Sequence, residues 1–217
     1  MIERRMFLLA ATGALLLPDR SRADVVFENA TFRVMRKGDD IGRHQIRFEP
    51  DGDLVKVTTA IDIKVKLAFI TVASFKQDAV ERWQGGTLVE GRSRIVDDGD
   101  IFDVSFEAKD EQLVVQGPKG RVRVPLGTMT DIAFWNQEIV HETTLLDSKT
   151  TELIKTTTTP GVPDMVDLGD GRKVAATRYE MSGTQGRTGS IWYDESGRFV
   201  RTSFVTRGER LDYYPIG

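Results

Sequence analysis

Residues 55–67 read VKVTTAIDIKVKL, and this stretch decides the fold class. The odd-numbered positions are apolar or Thr, from Val55 through Ile61 and Ile63 to Leu67, whereas Lys, Thr, Ala and Asp stand between them. A two-residue period held this long cannot come from a helix, whose faces recur about every 3.6 residues. The stretch therefore predicts a long β-strand with one buried face, which suits a curved antiparallel sheet or a barrel wall.

The sequence on both sides of this stretch predicts further, shorter strands. Turn sequences rich in Gly, Asp and Pro separate them, for example at 50–53, 97–100 and 117–120. We therefore predict an all-β fold, a large antiparallel meander that forms a barrel or curved half-barrel. One short helix is expected near 130–140. Residues 68–75 are apolar at both alternating sets of positions, so we expect them to be covered on both sides.

The first 23 residues have the layout of an export signal. Arg4 and Arg5 precede a modestly apolar run, and small residues lead to Ala23. This arrangement is typical of a twin-arginine signal peptide that is cleaved after Ala23. We therefore predict a periplasmic protein in which residues 24–217 form a single all-β domain.

The composition excludes several classes of function. The chain has no Cys, and its only imidazoles are His44 and His141, so we expect no haem, iron–sulfur or copper site, no other cofactor and no metal. With 30 basic and 33 acidic residues it lacks the basic excess of nucleic-acid-binding proteins. After the leader, no apolar stretch is long enough for a transmembrane helix. For the two His residues we expect an ordinary place at a strand or loop edge.

Three residues are candidates for a ligand-binding site: Glu81, Trp83 and Trp135. Trp offers a large apolar surface and one hydrogen-bond donor, which suits the wall of a ligand cavity as well as an ordinary core. Glu81 shares a strand face with Trp83. If that face is interior, the carboxyl of Glu81 needs a partner, water or a ligand.

Several short motifs follow one another along the chain: Gly38-x-x-Ile41-Gly42, the run from Ile61 to Thr71, Glu81-x-Trp83-x-Gly85-Gly86-x-Leu88, Asp97-Asp98-Gly99, Trp135-Asn136 and Trp192-Tyr193-Asp194. In this order they resemble a family of exported bacterial proteins, domain of unknown function 6134. The resemblance implies an all-β exported domain and no particular activity. The family pattern carries a Tyr and a His ahead of the Glu-x-Trp motif. Phe75 and Gln77 stand at those places, so a site built on that His is altered in this chain.

Long one-faced strands and the lack of catalytic motifs lead us to predict a non-enzymatic function. The expected function is binding of an apolar or lipid-like small molecule, or support of envelope assembly. Two alternatives remain open at this point: a carboxylate-based hydrolase that uses Glu81, and a structural or protein-interaction domain with a filled core.

Overall fold

The computed structural model describes residues 27–216 and contains fifteen β-strands. The export signal predicted at the start of the chain lies outside the described residues. The strands are β1 (Ala30–Arg36), β2 (Asp39–Asp51), β3 (Leu54–Leu67), β4 (Ile70–Gln84), β5 (Thr87–Asp97), β6 (Asp100–Lys109), β7 (Gln112–Gly117), β8 (Gly120–Pro125), β9 (Thr144–Leu146), β10 (Leu153–Thr158), β11 (Val162–Asp167), β12 (Lys173–Gly183), β13 (Arg187–Tyr193), β14 (Phe199–Thr206) and β15 (Glu209–Pro215). Two short 3-10 helices, Gln137–His141 and Thr184–Gly186, complete the secondary structure.

All fifteen strands belong to one antiparallel sheet, which confirms the predicted meander. Its order is β8-β7-β6-β5-β4-β3-β2-β1-β15-β14-β13-β12-β10-β9, with β11 paired to β12. Two runs of hairpins thus meet where β1 pairs with β15. The sheet is curved but open, because no strand ladder joins β8 to β9 in the described part of the chain. The two ends still approach each other, since Lys119 forms an ion pair with Glu152.

The long strand β3 has the predicted facing along most of its length. Val57, Thr59, Ile61 and Ile63 are buried, and the residues between them are half-buried or exposed. The expectation for residues 68–75 is wrong, because most of this segment is exposed where the β3–β4 hairpin extends beyond the neighbouring strands.

Residues 126–152, apart from the short strand β9 within them, leave the sheet and fill part of its concave side. Trp135, Ile139 and Leu146 from this segment join the main hydrophobic core. The short helix expected near 130–140 is present as the 3-10 helix Gln137–His141, and Asn136 caps its N-terminus. Thr130 forms a parallel bridge with Leu146, which keeps the backbone extended at the point where an α-helix would have to begin.

A second, smaller cluster covers the convex side of the sheet. Its members are Val166, Leu168, Ala176, Trp192 and Val200. Because Ile191 and Tyr193 point into the main core, Trp192 between them points outward, under the β11–β12 hairpin. Its indole N–H donates a hydrogen bond of 2.9 Å to Asp164. Trp192 therefore stabilises the outer layer and takes no part in the interior.

Candidate functional site

The three residues predicted as a binding site lie together in the interior. Glu81 and Trp83 are each 1% exposed, and Trp135 is 3% exposed. The indole N–H of Trp83 donates a 3.1 Å hydrogen bond to Oε2 of Glu81. The rings of Trp83 and Trp135 meet edge to face with centroids 5.0 Å apart. Alternation along β4 thus places Glu81 and Trp83 on one face, and the loop before the 3-10 helix brings the ring of Trp135 against them.

Burial changes the acidity of Glu81. Loss of solvation raises the pKa of its carboxyl from 4.5 to about 7, against the lowering effect of hydrogen bonds from Thr130 and Trp83. The hydroxyl of Thr130 donates at 2.7 Å to Oε1. The negative charge of Asp131 adds a smaller upward contribution to the same pKa. The carboxyl therefore has partners for both oxygens.

Aromatic packing closes the space around this cluster. Phe48 and Phe27 contact the ring of Trp135 at centroid distances of 5.3 and 5.7 Å. The indole nitrogen of Trp135 is buried and has no hydrogen-bond partner among the described residues. A ligand role for Glu81, Trp83 and Trp135 stays a prediction, since none of the three lines the large cavity described next.

The main cavity lies elsewhere on the concave side of the sheet, between β2–β5 and β12–β15, and has a volume of about 940 Å³. Most of its wall surface is apolar, although charged and hydroxyl side chains also line it. Representative wall residues are Ile61, Ile63, Ile95, Ile154, Phe204 and Leu211. The 126–152 segment fills only the half of the concave side of the sheet that holds the Trp rings. The unfilled half forms the cavity. Sequence periodicity predicted the facing of the wall residues but not this incomplete filling.

Three charged side chains, which we call the entrance cluster, lie at the polar edge of the cavity: Asp131, Asp147 and Arg187. The guanidinium of Arg187 donates to Asp131 Oδ2 at 2.7 Å and to Asp147 Oδ2 at 2.5 Å. Loss of solvation raises the pKa of Asp131, and the nearby Asp147 carboxylate adds to this, whereas Arg187 and the hydrogen bond from Ser148 oppose it. The cluster thus holds two carboxylates on one cation.

Local turn chemistry positions the entrance cluster. Oδ1 of Asp147 accepts the backbone N–H groups of Lys149 at 2.8 Å and Thr150 at 3.0 Å, which leaves Oδ2 directed at Arg187. The backbone N–H of Ser148 donates to Oδ1 of Asp131 at 2.9 Å. Each acid therefore uses one oxygen to order the loop and the other to bind the guanidinium. This hydrogen-bonded Asp turn was the one signal in the sequence that could have identified the loop.

The buried amide of Gln77 connects this loop to the sheet. Its Nε2 donates to the hydroxyls of Ser93 and Ser148, each at 3.1 Å. Gln77 lies on β4, two residues along the same face from Phe75, and both residues line the cavity. Gln77 therefore lies in the cavity wall.

A second set of ion pairs crosses the entrance between opposite sides of the sheet. Asp97 at the end of β5 binds Lys149 at 2.6 Å and Arg207 at 2.7 Å. Arg207 comes from the turn between β14 and β15 and also binds Asp98 at 2.6 Å. These contacts tie the β5–β6 turn to the β14–β15 turn beside the cavity.

The expectation that His44 lies at a strand or loop edge is wrong. Its ring is buried in the core, with both nitrogens unpaired and with Phe32 and Tyr213 at centroid distances of 5.9 Å. Burial alone lowers the pKa of His44 to about 4. His141 is exposed in the 3-10 helix. Within residues 27–216, no group of three or more His, Asp or Glu side chains is arranged to hold a metal ion.

No helix within the described part of the chain combines the length and the apolar character needed to cross a membrane.

Comparisons with known proteins give a family and a fold. A family model described as domain of unknown function, DUF6134, matches residues 32–216 and confirms the resemblance seen in the motifs. A crystal structure of a beta-barrel-like protein of domain of unknown function DUF1849 from Brucella abortus is similar in fold. It has a TM-score of 0.60 and 12% sequence identity, over 87% of this chain and 94% of that one. No curated protein matches the sequence.

Proposed function

The chain belongs to the family of domain of unknown function 6134, and from the geometry of its cavity we propose that it binds an apolar or lipid-like ligand without transforming it. The single observation that carries this proposal is the cavity of about 940 Å³ with mostly apolar walls. Cavities of roughly 300–1,000 Å³ with such walls and a few polar groups are typical of small-molecule sites.

The distribution of polar groups favours an amphipathic ligand. Asp131, Asp147 and Arg187 lie together at one edge, whereas Ile61 and Leu211 represent the apolar wall. An apolar chain in contact with the wall gains free energy by leaving water. Its polar end can exchange hydrogen bonds with the entrance cluster. The ligand would thus be bound in one orientation.

The proposal places this binding in the periplasm, after removal of residues 1–23. That location rests on the Arg4-Arg5 pair and the small residues before Ala23. A carrier or sensor of apolar molecules has its use where lipids must cross an aqueous space.

Displacement of a fluorescent fatty acid from delipidated protein tests the proposal. Ala73 lines the cavity, so Ala73→Trp should fill part of it and weaken probe binding by about tenfold or more. Ala60→Trp is the matched control, because Ala60 lies on the convex side of β3, between the buried Thr59 and Ile61. Micromolar binding that Ala73→Trp weakens and Ala60→Trp leaves unchanged supports the proposal. No binding at micromolar probe, or equal binding by all three proteins, contradicts it.

The same assay separates the cavity from the site predicted by sequence. If the ligand contacts Glu81, Trp83 and Trp135, Glu81→Gln should change probe affinity while the fold is retained. If the cavity alone binds, Glu81→Gln should leave the affinity unchanged. The hydrolase alternative has no specific support: Glu81 has Asp131 nearby, but its carboxyl is enclosed by Trp83 and Thr130.

A further inference from the structure

The hairpin between β3 and β4 ends in an exposed apolar surface, which we call the apolar tip: Leu67, Phe69, Ile70 and Val72. Their exposed fractions are 72%, 101%, 70% and 56%. Ala68 adopts a positive φ of 54° to form the turn between the strands. Exposed large apolar side chains are ordinary when scattered, but four of them within six residues form a patch that points to a binding surface.

The tip projects from the sheet. The pairing of β2 with β3 ends at Gly42 and Ile63, and the pairing of β4 with β5 ends at Phe75 and Asp97. Beyond Ile63 the two strands pair only with each other, as far as Leu67. At about 3.3 Å per residue, the hairpin extends roughly 13 Å past its neighbours. Neither flanking strand covers its sides.

The projecting part of the hairpin carries positive charge only. Between residues 63 and 75 the sequence contains Lys64 and Lys66 and no acidic residue, although the whole chain has a net charge of −3. Lys64 is 58% exposed and lies 3.6 Å from Asp62 at the base of the projection, where Lys76 pairs with Asp78 at 3.1 Å. Lysines placed behind an apolar end are suited to lie among anionic headgroups while the apolar end enters the acyl region.

The tip also lies beside the cavity. Val65, Val72 and Ala73 belong to this hairpin and contribute to the cavity lining. A surface that contacts the tip would therefore be close to the cavity as well.

We propose that the apolar tip inserts into the surface of an anionic lipid bilayer and brings the cavity next to that surface. A protein partner is a weaker match, because a narrow projecting end with Lys64 and Lys66 behind it offers little area for a flat protein interface. The docking step does not depend on the proposed function. Exchange of a lipid between the bilayer and the cavity does rest on the proposed function.

Co-sedimentation with vesicles tests the docking step. Vesicles of equal parts phosphatidylglycerol and phosphatidylcholine should bind the wild-type protein, and added salt should weaken the binding. The double variant Phe69→Ser, Ile70→Ser should lower the partition coefficient by about tenfold or more. Met165→Ser is the matched control, since Met165 is 59% exposed on β11, away from the tip. Circular dichroism checks that each variant is folded.

A second readout locates the inserted residue. Phe69→Trp should show a blue shift of the added Trp emission with anionic vesicles, whereas Met165→Trp should not. Replacing Lys64 and Lys66 by Gln should reduce binding to anionic vesicles and remove its salt dependence.

Three results would overturn docking: unchanged vesicle binding by the double Ser variant, equal loss with Met165→Ser, or lipid-free self-association that the double variant abolishes. The last result would assign the tip to a second copy of the chain. Probe binding without lipid gives an independent measure of the proposed function. A double variant that retains probe binding but loses vesicle binding would show that vesicle docking and ligand binding are separate properties. Vesicle binding by a protein that takes up no probe would refute the proposed function and leave docking in place.

Discussion

Glu81→Gln should change how the stability of the protein depends on pH. The folded-state pKa of Glu81 is raised from 4.5 to about 7. The stability associated with the neutral acid is therefore fully present below pH 4.5 and lost as the pH rises through 7. At 1.36 kcal/mol per pH unit, the loss is on the order of 3 kcal/mol. The group is 1% exposed, so solvent screening does not reduce this figure substantially.

The amide of Gln reproduces the neutral carboxyl. Its oxygen can accept the indole N–H of Trp83, and its NH₂ group can donate to the hydroxyl of Thr130. One amide hydrogen then lacks a partner, which costs stability by an amount that does not vary with pH. The test is therefore how the difference in free energy of unfolding between the two proteins changes with pH, not the size of that difference at one pH.

Urea unfolding followed by far-UV circular dichroism measures this difference. Between pH 4 and pH 8, the free energy of unfolding of Glu81→Gln relative to wild type should rise by about 3 kcal/mol. Glu107→Gln is the matched control, because Glu107 is exposed on β6. Its difference from wild type should stay nearly constant. If the curves of Glu81→Gln and wild type run parallel, Glu81 is not held in a poorly solvated site and the reasoning fails.

Three further predictions concern the core and the export signal. Ile63→Asp should prevent folding or cost about 3–5 kcal/mol, because it buries an unpaired charge. Lys64→Asp should cost less than about 1 kcal/mol, because the Lys64 side chain is on the opposite face and is 58% exposed. Thermal melting compares the two variants, and a larger loss of stability for Lys64→Asp would mean that the facing of β3 is inverted. Burial lowers the pKa of His44 to about 4 in the folded protein, so the stability contributed by the neutral ring is present above pH 6.5 and is lost as the pH falls towards 4. His44→Phe should therefore lose less stability in acid than the wild type in urea titrations. An equal loss of stability at low pH in both proteins would contradict this. Arg4→Lys with Arg5→Lys should leave uncleaved precursor in the cytoplasm in fractionation experiments, and normal periplasmic accumulation would rule out the twin-arginine assignment.

Strand facing could be predicted from the sequence because burial on one side of a strand must repeat every second residue. This rule placed Ile61 and Ile63 in the interior and Lys64 outside. It also put Glu81 and Trp83 on one face, and the structure joins them by a hydrogen bond. Alternation is a local property, so it needs no knowledge of distant parts of the chain.

The cavity and its entrance could not be predicted in this way. Asp131 and Asp147 belong to an irregular segment with no period, and Arg187 lies some forty residues further along. Their meeting depends on how far the 126–152 segment fills the concave side of the sheet, which is a matter of packing between remote parts of the chain. The helix begins later than expected for a related reason. The bridge between Thr130 and Leu146 overrides the local helix preference.

The pairing of β1 with β15 has a consequence for how the chain acquires its structure. Val34 is opposite Tyr213, so this seam joins segments from opposite ends of the described chain. Contacts this remote in sequence form slowly, because a very long loop must close first. During synthesis, one edge of β1 keeps its backbone N–H and C=O groups unpaired until the last strand leaves the ribosome. A chain halted before β15 would expose that edge to any other strand it meets, so incomplete products of this gene should aggregate even if all their other hairpins have formed.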